Sequence, residues 1–251
     1  MFTDQSVFDI RCEWGSQGLL AVGDGCAAII IVDVLSFTTC VEIAVSRGAR
    51  VFPYRWKDQT AADYAVAMNA ELAGPRRKGA KFSLSPESML NAVAGGRIVL
   101  PSPNGSALTL EAAGMCPCVL AGCFRNFSAV ASTAAAQGRT VAVIPAGERW
   151  ADGSLRPSLE DLAAAGAVIA HLQGSRSPDA EVAVAAWATV QDRLPAVLRA
   201  CASGRQLLES GFARDVQLAG EADVSDSVPL LQDHAYFGTV LPRSSYAVGT
   251  A

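Results

Sequence analysis

Charged side chains of both signs follow a short apolar run near the middle of the chain. Residues 141–144 have the β-branched composition of a buried strand. Ser158, with Asp161 three positions later, is typical of a helix start. The turn-rich segment between them carries Glu148, Arg149, Asp152 and Arg156. In α/β proteins, loops at the carboxyl ends of strands meet helix N-termini, whose free N–H groups favour anions. The segment therefore predicts a ligand site, with a solvated loop of internal ion pairs as the alternative.

A carboxylate occupies the same kind of position earlier in the chain. Residues 29–32 form an unbroken apolar run, typical of a central strand covered on both faces, and Asp33 is the first charge after it. Ser36, Thr38 and Thr39 are natural caps for the helix that follows. Such a carboxylate beside hydroxyl groups can hold Mg²⁺ next to an anionic substrate, or it can simply accept backbone N–H groups.

Two further strand ends are followed by polar turns and then by helices. The residues concerned are Ser102, Asn104, Gly105 and Ser106 in one turn and Arg125 and Asn126 in the other. If the strands are parallel, all four turns lie on one rim of the sheet, which is a stronger indication of a site than any single motif. The sequence contains no Walker loop, and Leu35 stands where a phospho-aspartyl motif beginning at Asp33 would need its second acid.

The elements that position these residues alternate between strand and helix, which predicts an α/β fold with a largely parallel sheet and helices on both faces. A helix is predicted over 58–72, and a buried stripe in a later helix, with Pro195 kinking or splitting it. The predicted stripe consists of Val182, Ala186, Val190, Leu194 and Val197. The tail after Pro229 reads as a strand or a loop. We predict a single domain over 1–251, with a small subdomain or lobe in the C-terminal third as the alternative.

The composition argues against a nucleic-acid-binding protein and against a membrane protein. The chain has 251 residues, 51% of them hydrophobic and 18% charged, so a sizeable core is available. Its net charge of -4 gives no reason to expect nucleic acid as a partner. No apolar run approaches the roughly 18 residues of a membrane helix, and no signal peptide is visible. Seven cysteines in mostly apolar surroundings indicate buried free thiols, and we predict a cytoplasmic protein with no membrane partner. The Ala-rich helices could pack against the sheet alone or against a second subunit in a homo-oligomer.

A basic stretch follows the predicted helix 58–72. It contains Arg76, Arg77 and Lys78 in succession. Such a run is typical of a solvated loop, although three neighbouring cations could also close over an anion.

Five segments together resemble the 2-phosphosulfolactate phosphatase family. They are DVLSFTT (33–39), SPNGS (102–106), GCFRNFSAVA (122–131), PAGERWADGSLRPSLEDLAAAGA (145–167) and SGRQLLESGF (203–212). The resemblance extends over most of the chain, and its most specific part is the segment 145–167. It implies a three-layer α/β/α fold with a largely parallel or mixed sheet. It also implies a Mg²⁺-dependent phosphatase that converts the phosphate ester of a small sulfonated 2-hydroxy acid to the hydroxy acid and phosphate.

The resemblance and the chemistry of the side chains give each candidate residue a role. Asp33 and Glu148 are the predicted catalytic residues and the first choices as Mg²⁺ ligands, with Glu160 and Asp161 next; Asp161 could instead serve as a capping partner of Ser158. The predicted substrate-binding residues are Ser36, Thr38, Thr39, Asn104, Gly105, Ser106, Arg125, Asn126, Arg149, Arg156 and Arg205. Direct attack by water and a covalent intermediate both remain open.

One departure from the family concerns the substrate. Members often carry an arginine where this chain has Ser36, so a cation is missing beside the substrate, and a carboxylated acid could replace the sulfonated one. Two other functions fit the same residues. One is a non-catalytic anion-binding protein that uses helix N-termini and arginines. The other is a different enzyme, such as a lyase or an isomerase, that acts on phosphorylated hydroxy acids.

Overall fold

A nine-stranded mixed sheet forms the centre of the protein in the computed structural model, which describes residues 3–76 and 80–240. The strands, including a separate two-stranded hairpin made of β8 and β9, are β1 (Ile10–Cys12), β2 (Ala28–Val32), β3 (Arg50–Tyr54), β4 (Glu71–Leu72), β5 (Arg97–Pro101), β6 (Val119–Gly122), β7 (Val141–Pro145), β8 (Glu148–Arg149), β9 (Leu155–Arg156), β10 (Ser227–Gln232) and β11 (Ala235–Val240). In space the strands of the large sheet follow the order β1-β7-β2-β6-β10-β11-β3-β5-β4.

The large sheet contains two groups of parallel strands. The first group is β1, β7, β2 and β6, and the second is β3, β5 and β4. The hairpin of β10 and β11 lies between the groups and pairs antiparallel with β6 on one side and with β3 on the other. These successive antiparallel pairings reverse the strand direction, so the two groups run in opposite senses. The sheet is therefore mixed rather than parallel throughout. Of the two readings of the tail after Pro229, the strand is confirmed for the described residues, which form the end of β10 and all of β11.

Helices cover the sheet in a three-layer α/β/α arrangement, as the sequence predicts. They are α1 (Gly15–Val22), α2 (Phe37–Ser46), α3 (Gln59–Ala67), α4 (Pro86–Met89), α5 (Gly105–Ala112), α6 (Phe127–Gln137), α7 (Leu159–Ala170), α8 (Pro178–Val190), α9 (Leu194–Ala200), α10 (Ala202–Glu209) and α11 (Ala213–Ala219). Helices α6 and α7 pack on β2 and β6, and α8 packs on α7 and β1. Helices α1 and α5 contact each other, α1 packs on β7, and α5 packs on β2 and β3. In the described part of the chain, no helix has the length and apolar character needed to cross a membrane.

Strand β2 forms the centre of the first parallel group. All five of its residues are buried, and it pairs with β7 on one side and β6 on the other. An apolar strand of this kind suits a position that helices cover on both faces. The prediction of a central strand ending just before Asp33 is confirmed.

The predicted helix 58–72 is too long at its C-terminal end. Helix α3 ends at Ala67, and Asn69 adopts a positive φ of 47°. Leu72 then belongs to β4, which pairs with β5 at the edge of the sheet. An apolar residue at helical spacing therefore serves a short strand instead, because the backbone turns before it.

The predicted buried stripe of the later helix is confirmed at Val190 and Leu194 and is wrong at its start. Val182 is 61% exposed, whereas Ala183, Trp187 and Val190 face the core. The predicted effect of Pro195 is confirmed. A 3-10 turn over Gln191–Arg193 separates α8 from α9, and the proline lies in the first turn of α9, where the missing N–H costs no helical hydrogen bond.

Candidate active site

The carboxylate of Asp33 lies at the carboxyl end of β2, where the chain turns into α2. Thr38 holds this turn, since its hydroxyl donates to the carbonyl oxygen of Asp33 at 2.9 Å and accepts the N–H of Asp33 at 3.1 Å. The carboxylate of Asp33 accepts the N–H of Phe37 at 3.2 Å and that of Gly105 at 2.8 Å. One buried carboxylate therefore joins the first turn of α2 to the first turn of α5.

Glycine at position 105 allows this close approach. A Cβ there would lie 2.2 Å from Cδ1 of Phe37 and 2.7 Å from Oδ2 of Asp33. Neither neighbour is free to move away, because Phe37 is buried and the Asp33 carboxylate is held by two N–H groups. The absence of a side chain thus lets the N-terminus of α5 direct an N–H group at Asp33, the arrangement that favours an anion.

Glu148 joins the same site through Asn104, the residue just before α5. The side-chain amide of Asn104 donates to Oε2 of Glu148 at 2.9 Å. Glu148 begins β8, three residues after the end of β7. Turns that follow β2, β5 and β7 therefore meet, although β5 belongs to the parallel group that runs in the opposite sense.

Asp161 connects the turn after β2 to the turn after β7. Its carboxylate accepts the N–H of Val34 at 2.8 Å and the N–H of Gly147 at 3.0 Å. The predicted helix start is confirmed, since α7 begins directly after Ser158. The side chain of Asp161 nevertheless bonds to these two loops rather than to Ser158, whose hydroxyl is buried without a hydrogen-bond partner.

Asp33, Glu148, Glu160 and Asp161 form what we call the acidic cluster. Burial raises the pKa of Asp33 to about 7, with a further contribution from the charge of Glu148 and a smaller one from Glu160. Burial, followed by the charges of Asp33 and Glu160, raises the pKa of Asp161 well above its usual value. Burial also raises the pKa of Glu148. The hydrogen bonds place these acids close together, because the adjacent residues Asn104 and Gly105 donate to Glu148 and Asp33. Asp161 accepts the N–H groups of Val34 and Gly147, which are the sequence neighbours of those two acids, and Glu160 directly precedes Asp161 on α7.

The donor chemistry of the acidic cluster fits a hard divalent cation. In the described residues, none of the four carboxylates forms an ion pair within 4 Å with a lysine, an arginine or a histidine. The buried hydroxyl of Ser158 lies two residues before Glu160 and offers one more unpaired oxygen. Over 3–76 and 80–240, no three His, Cys, Asp or Glu side chains are arranged as a ready ligand set. Mg²⁺ retains several waters, so one or two carboxylates are enough to bind it.

Three cations lie near the acidic cluster. Arg156 donates to the hydroxyl of Ser203 at 3.1 Å, and its charge lowers the pKa of Glu148, opposing the effect of burial. Arg76 donates to the hydroxyl of Ser36 at 2.7 Å. At Ser36, where family members often carry an arginine, the sequence indicated a missing cation. In the structure Arg76 brings a guanidinium group to this position. Arg77 and Lys78 lie outside the described residues.

Lys57 is the third cation, and sequence reasoning missed it. It follows β3 by three residues, the same kind of strand-end position that drew attention to the other candidates. Loss of solvation and the nearby Arg76 lower its pKa, while Glu148 and Asp33 raise it. Its distance from a strand end was the available signal. Lys57 nevertheless stands in an exposed stretch just before Asp58, the cap of α3, and that position does not distinguish it from an ordinary surface lysine.

Arg125 and Asn126 bond to parts of the protein outside the acidic cluster. Arg125 forms an ion pair with the buried Glu42 at 2.5 Å and another with Glu221, and it donates to the carbonyl oxygen of Leu218 at 3.2 Å. Glu42 lies six residues beyond Ser36, about 9 Å along α2 at the helical rise. The side chain of Asn126 accepts the N–H of Cys123 and donates to Ser227, which ties the turn after β6 to β10. These contacts give both residues a part in the fold.

Two other predicted substrate ligands have their hydroxyl groups bonded to backbone carbonyls. Thr39 donates to Val34 at 2.8 Å, and Ser106 donates to Leu100 at 2.8 Å; both side chains are fully buried. Together with Thr38, they hold the shape of the turns after β2 and β5. These bonds use the hydroxyl protons of Thr39 and Ser106. Either hydroxyl could donate to a substrate, as predicted, only if its turn opened.

Arg149 and Arg205 are the most solvent-facing of the predicted ligands. Arg149 donates to the carbonyl oxygen of Gly153 within the hairpin of β8 and β9 at 3.0 Å. Arg205 lies 3.9 Å from Glu209, one turn along α10, and its side chain is 69% exposed. Among the contacts of the described residues, neither reaches the acidic cluster.

Comparison with known proteins supports the family resemblance. The family model of 2-phosphosulpholactate phosphatase matches residues 20–234. A protein of Carboxydothermus hydrogenoformans, named probable 2-phosphosulfolactate phosphatase, is 28% identical over 225 residues, covering 87% of this chain and 91% of that protein. One of Gloeobacter violaceus with the same name is 30% identical over 210 residues, covering 80% and 86%. The 2-phosphosulfolactate phosphatase of Methanothermobacter thermautotrophicus is 29% identical over 220 residues, covering 84% and 89%. Since the match takes in every turn that builds the acidic cluster, the chain belongs to the 2-phosphosulfolactate phosphatase family.

Proposed function

We propose that this protein is a Mg²⁺-dependent phosphatase that converts 2-phosphosulfolactate, or a closely related phosphorylated 2-hydroxy acid, to the hydroxy acid and phosphate. The family and the names of its relatives support hydrolysis of a phosphate monoester. The observation that carries the proposal is the acidic cluster. Asp33, Glu148 and the neighbouring pair Glu160 and Asp161 converge on one place from three parts of the chain. In the described residues no lysine, arginine or histidine forms an ion pair with any of them.

In the proposed site, Asp33 and Glu148 hold the metal, with Glu160 and Asp161 beside them. A bound Mg²⁺ would polarise a phosphoryl oxygen and lower the pKa of a coordinated water. Asn104 keeps the carboxylate of Glu148 oriented through the bond at 2.9 Å. The N–H groups of Phe37 and Gly105 fix the carboxylate of Asp33, so neither acid has to reorganise when substrate arrives.

Arg156 is the residue that we propose for the phosphate group. It is half-buried, its charge acts on Glu148, and it is outside the ion pairs found in the described residues. A guanidinium group can donate two parallel hydrogen bonds to a phosphate. The bond to Ser203 also links Arg156 to the start of α10, within the family segment 203–212.

We further infer a cytoplasmic location and a small-molecule substrate. All seven cysteines are free and buried, which fits a reducing compartment. Nucleic acid is not proposed as a partner, because the net charge is -4.

The direct experiment measures phosphate release from 2-phosphosulfolactate by the purified protein, with Mg²⁺ and with EDTA. We expect steady phosphate release with Mg²⁺, loss of release with EDTA and recovery when Mg²⁺ is restored. A variant at Lys81, which pairs with Glu71 on the surface, is the matched control and should behave as the wild type.

The alternatives give different results in the same experiment. An anion-binding protein would bind the ester and release no phosphate. A lyase or an isomerase would consume the ester and form a new phosphorylated product. Phosphate release at an equal rate with EDTA would overturn the role of the metal and leave the phosphatase activity standing.

A further inference from the structure

A cavity of about 440 Å³ lies between the end of β3, helix α3 and the segment that leads to α4. Its lining is mostly apolar and includes Ala61, Leu72, Leu84, Leu100 and Pro101. The charged residues of the lining are Lys57, Arg76 and Asp58. The carboxylate of Asp58 is engaged as the cap of α3, where it accepts the N–H of Thr60. The volume is in the range of small-molecule sites, which combine an apolar surface with a few polar groups.

The guanidinium group of Arg76 is held in place by four neighbours. It donates to the hydroxyl of Ser36 and to the carbonyl oxygen of Leu84. It also lies 5.2 Å from the ring centroid of Phe212. The Nε atom is 3.8 Å from a carboxylate oxygen of Asp215. Because these contacts use Nε and Nη2, the Nη1 group has no acceptor among the described residues and remains available to a ligand.

Asp215 positions this arginine from the C-terminal part of the chain. It is fully buried on α11 and accepts the hydroxyl of Ser85 at 2.6 Å and the N–H of Glu87 at 2.9 Å. Asp215 therefore ties α11 to the start of α4 and lies beside Arg76. An arginine held in this way loses little conformational freedom when it binds an anion.

Lys57 lies on the exposed edge of the cavity. In the described residues it has no carboxylate partner within 4 Å, and Asp58 beside it accepts the N–H of Thr60 as the cap of α3. The charges of Glu148 and Asp33 both act on the Lys57 ammonium. Arg76 reaches Ser36, three residues after Asp33. The cationic wall therefore adjoins the acidic cluster.

We propose that Lys57 and Arg76 form a subsite for the second acidic group of the substrate, its carboxylate or sulfonate, while the phosphate lies at the acidic cluster. This inference rests on the proposed function. A cation pair adjoining a group of carboxylates lets one small molecule place a metal-bound phosphate and a second anion a few atoms apart. The apolar lining then suits the short carbon chain between them. Lys57 and Arg76 are thus specificity-determining residues.

The test uses two esters that differ in one group. In 2-phospholactate a carboxylate replaces one methyl group of isopropyl phosphate, so the phosphate-bearing carbon is otherwise alike. We measure kcat/KM for both esters and for 2-phosphosulfolactate in the wild type, Lys57→Met and Arg76→Gln. The ratio of kcat/KM for 2-phospholactate to that for isopropyl phosphate should fall at least about tenfold in each variant, since hydrogen bonds to charged groups are lost.

Lys81→Met is the matched control, because Lys81 is an exposed lysine that does not line the cavity. Its ratio should stay within about twofold of the wild type, as for an ordinary surface substitution. If Lys57→Met and Arg76→Gln lower kcat/KM for both esters in the same proportion, the cations serve the phosphate and the inference is overturned. Lys57→Met removes an exposed side chain and should fold normally. If kcat/KM relative to isopropyl phosphate is unchanged in this variant for both 2-phospholactate and 2-phosphosulfolactate, the inference is also overturned.

A binding measurement separates this inference from the proposed function. Titration calorimetry with sulfolactate needs no turnover, because this compound carries the carboxylate and the sulfonate but no phosphate. Weaker binding to Lys57→Met than to the wild type and Lys81→Met supports the subsite even if no ester is hydrolysed. Equal binding to all three proteins, or none to the wild type, counts against it.

Discussion

Asp33 is the side chain at which the parts of the site meet. Its carboxylate accepts N–H groups from two helices and lies close to Glu148 and Glu160. A buried carboxylate is costly in its charged form unless hydrogen bonds or a cation compensate it. Two N–H groups provide part of that compensation, and a bound divalent cation would provide the remainder.

Asp33→Asn tests this role directly. The amide keeps the size of the side chain but removes the charge, and its NH₂ group would face one of the two backbone donors. We expect kcat/KM for phosphate release to fall by at least about 100-fold, the upper end of the loss when a residue that only supports a metal ligand is removed. Circular dichroism should show a folded protein. A rate equal to that of the wild type with Mg²⁺ present would remove Asp33 from the mechanism.

The raised pKa of Asp33 also predicts how stability depends on pH without metal. The folded protein keeps this proton up to a pH of about 7, whereas the unfolded chain releases it near the usual value of 3.8. The folded state therefore binds more protons between these values, and its free energy of unfolding falls as the pH rises through that window. We expect the Tm in EDTA to decrease from pH 5 to pH 8. Asp33→Asn should show a smaller decrease, and a Tm that rises over this range would contradict the prediction.

Sequence reasoning at this scale located the acids better than the cations. Asp33 and Glu148 each follow a strong apolar run, so their position at a strand end was readable. The charges of Arg125 and Arg156 looked alike in sequence, yet the first is paired with Glu42 and Glu221 and the second is not. The difference depends on partners from α2 and the segment after α11, which no local pattern identifies.

The junction between α2 and α5 is the element on which the site geometry depends. Gly105→Ala would push a methyl group into the ring of Phe37 and the carboxylate of Asp33. We expect a loss of about 1–3 kcal/mol of stability, as for overpacking in a core, and a large loss of phosphatase activity. Gly114→Ala, just beyond the same helix, has only one neighbour, at 3.5 Å, and should be close to neutral. Similar Tm and activity in both variants would contradict this account.

A second junction joins α2 to the turn after β6 through Arg125. Removal of this arginine leaves Glu42 buried without its partner, and one oxygen of Glu42 already lacks a hydrogen bond. We expect Arg125→Ala to lower the free energy of unfolding by about 3–5 kcal/mol. Urea denaturation measures this. A stable variant with a raised KM for 2-phospholactate but not for isopropyl phosphate would instead support direct contact with substrate.

Strands with strong apolar runs were predictable from the sequence, whereas very short strands were not. Strands β2, β5 and β7 appear in the sequence as apolar segments bounded by turns. The hairpin of β8 and β9 lies inside a turn-rich segment with two residues in each strand, too few for a period to show. The wrong start of the predicted stripe in α8 has a similar cause, because alanine and valine occupy both faces of the helix there.

At the scale of the whole molecule, the reversal of strand direction was the feature that sequence could not supply. The expectation of one rim assumed parallel strands, whereas β5 belongs to the group that runs opposite to β2 and β7. The turns meet nonetheless, since hydrogen bonds from Gly105 and Asn104 reach Asp33 and Glu148. Sheet twist accumulates from strand to strand, so ends of distant strands can approach one another.

The burial of every thiol gives a prediction for the molecule as a whole. All seven cysteines are buried, and burial raises the pKa of Cys118 to about 11 and that of Cys201 to about 12. Since the thiolate is the reactive form, the folded protein should react very slowly with a disulfide reagent such as Ellman's. All seven thiols should react after denaturation in guanidinium chloride. A thiol that reacts rapidly in the native protein would contradict this packing.

The central position of the β10–β11 hairpin in the sheet has a consequence for folding during synthesis. Both parallel groups leave the ribosome well before residues 227–240, which must then insert between them. Until that moment β6 and β3 each present a bare backbone edge, the kind of surface that recruits strands from other chains. Synthesis of this hairpin therefore completes the sheet at its middle, and nascent chains that stall before residue 227 are the ones most exposed to aggregation.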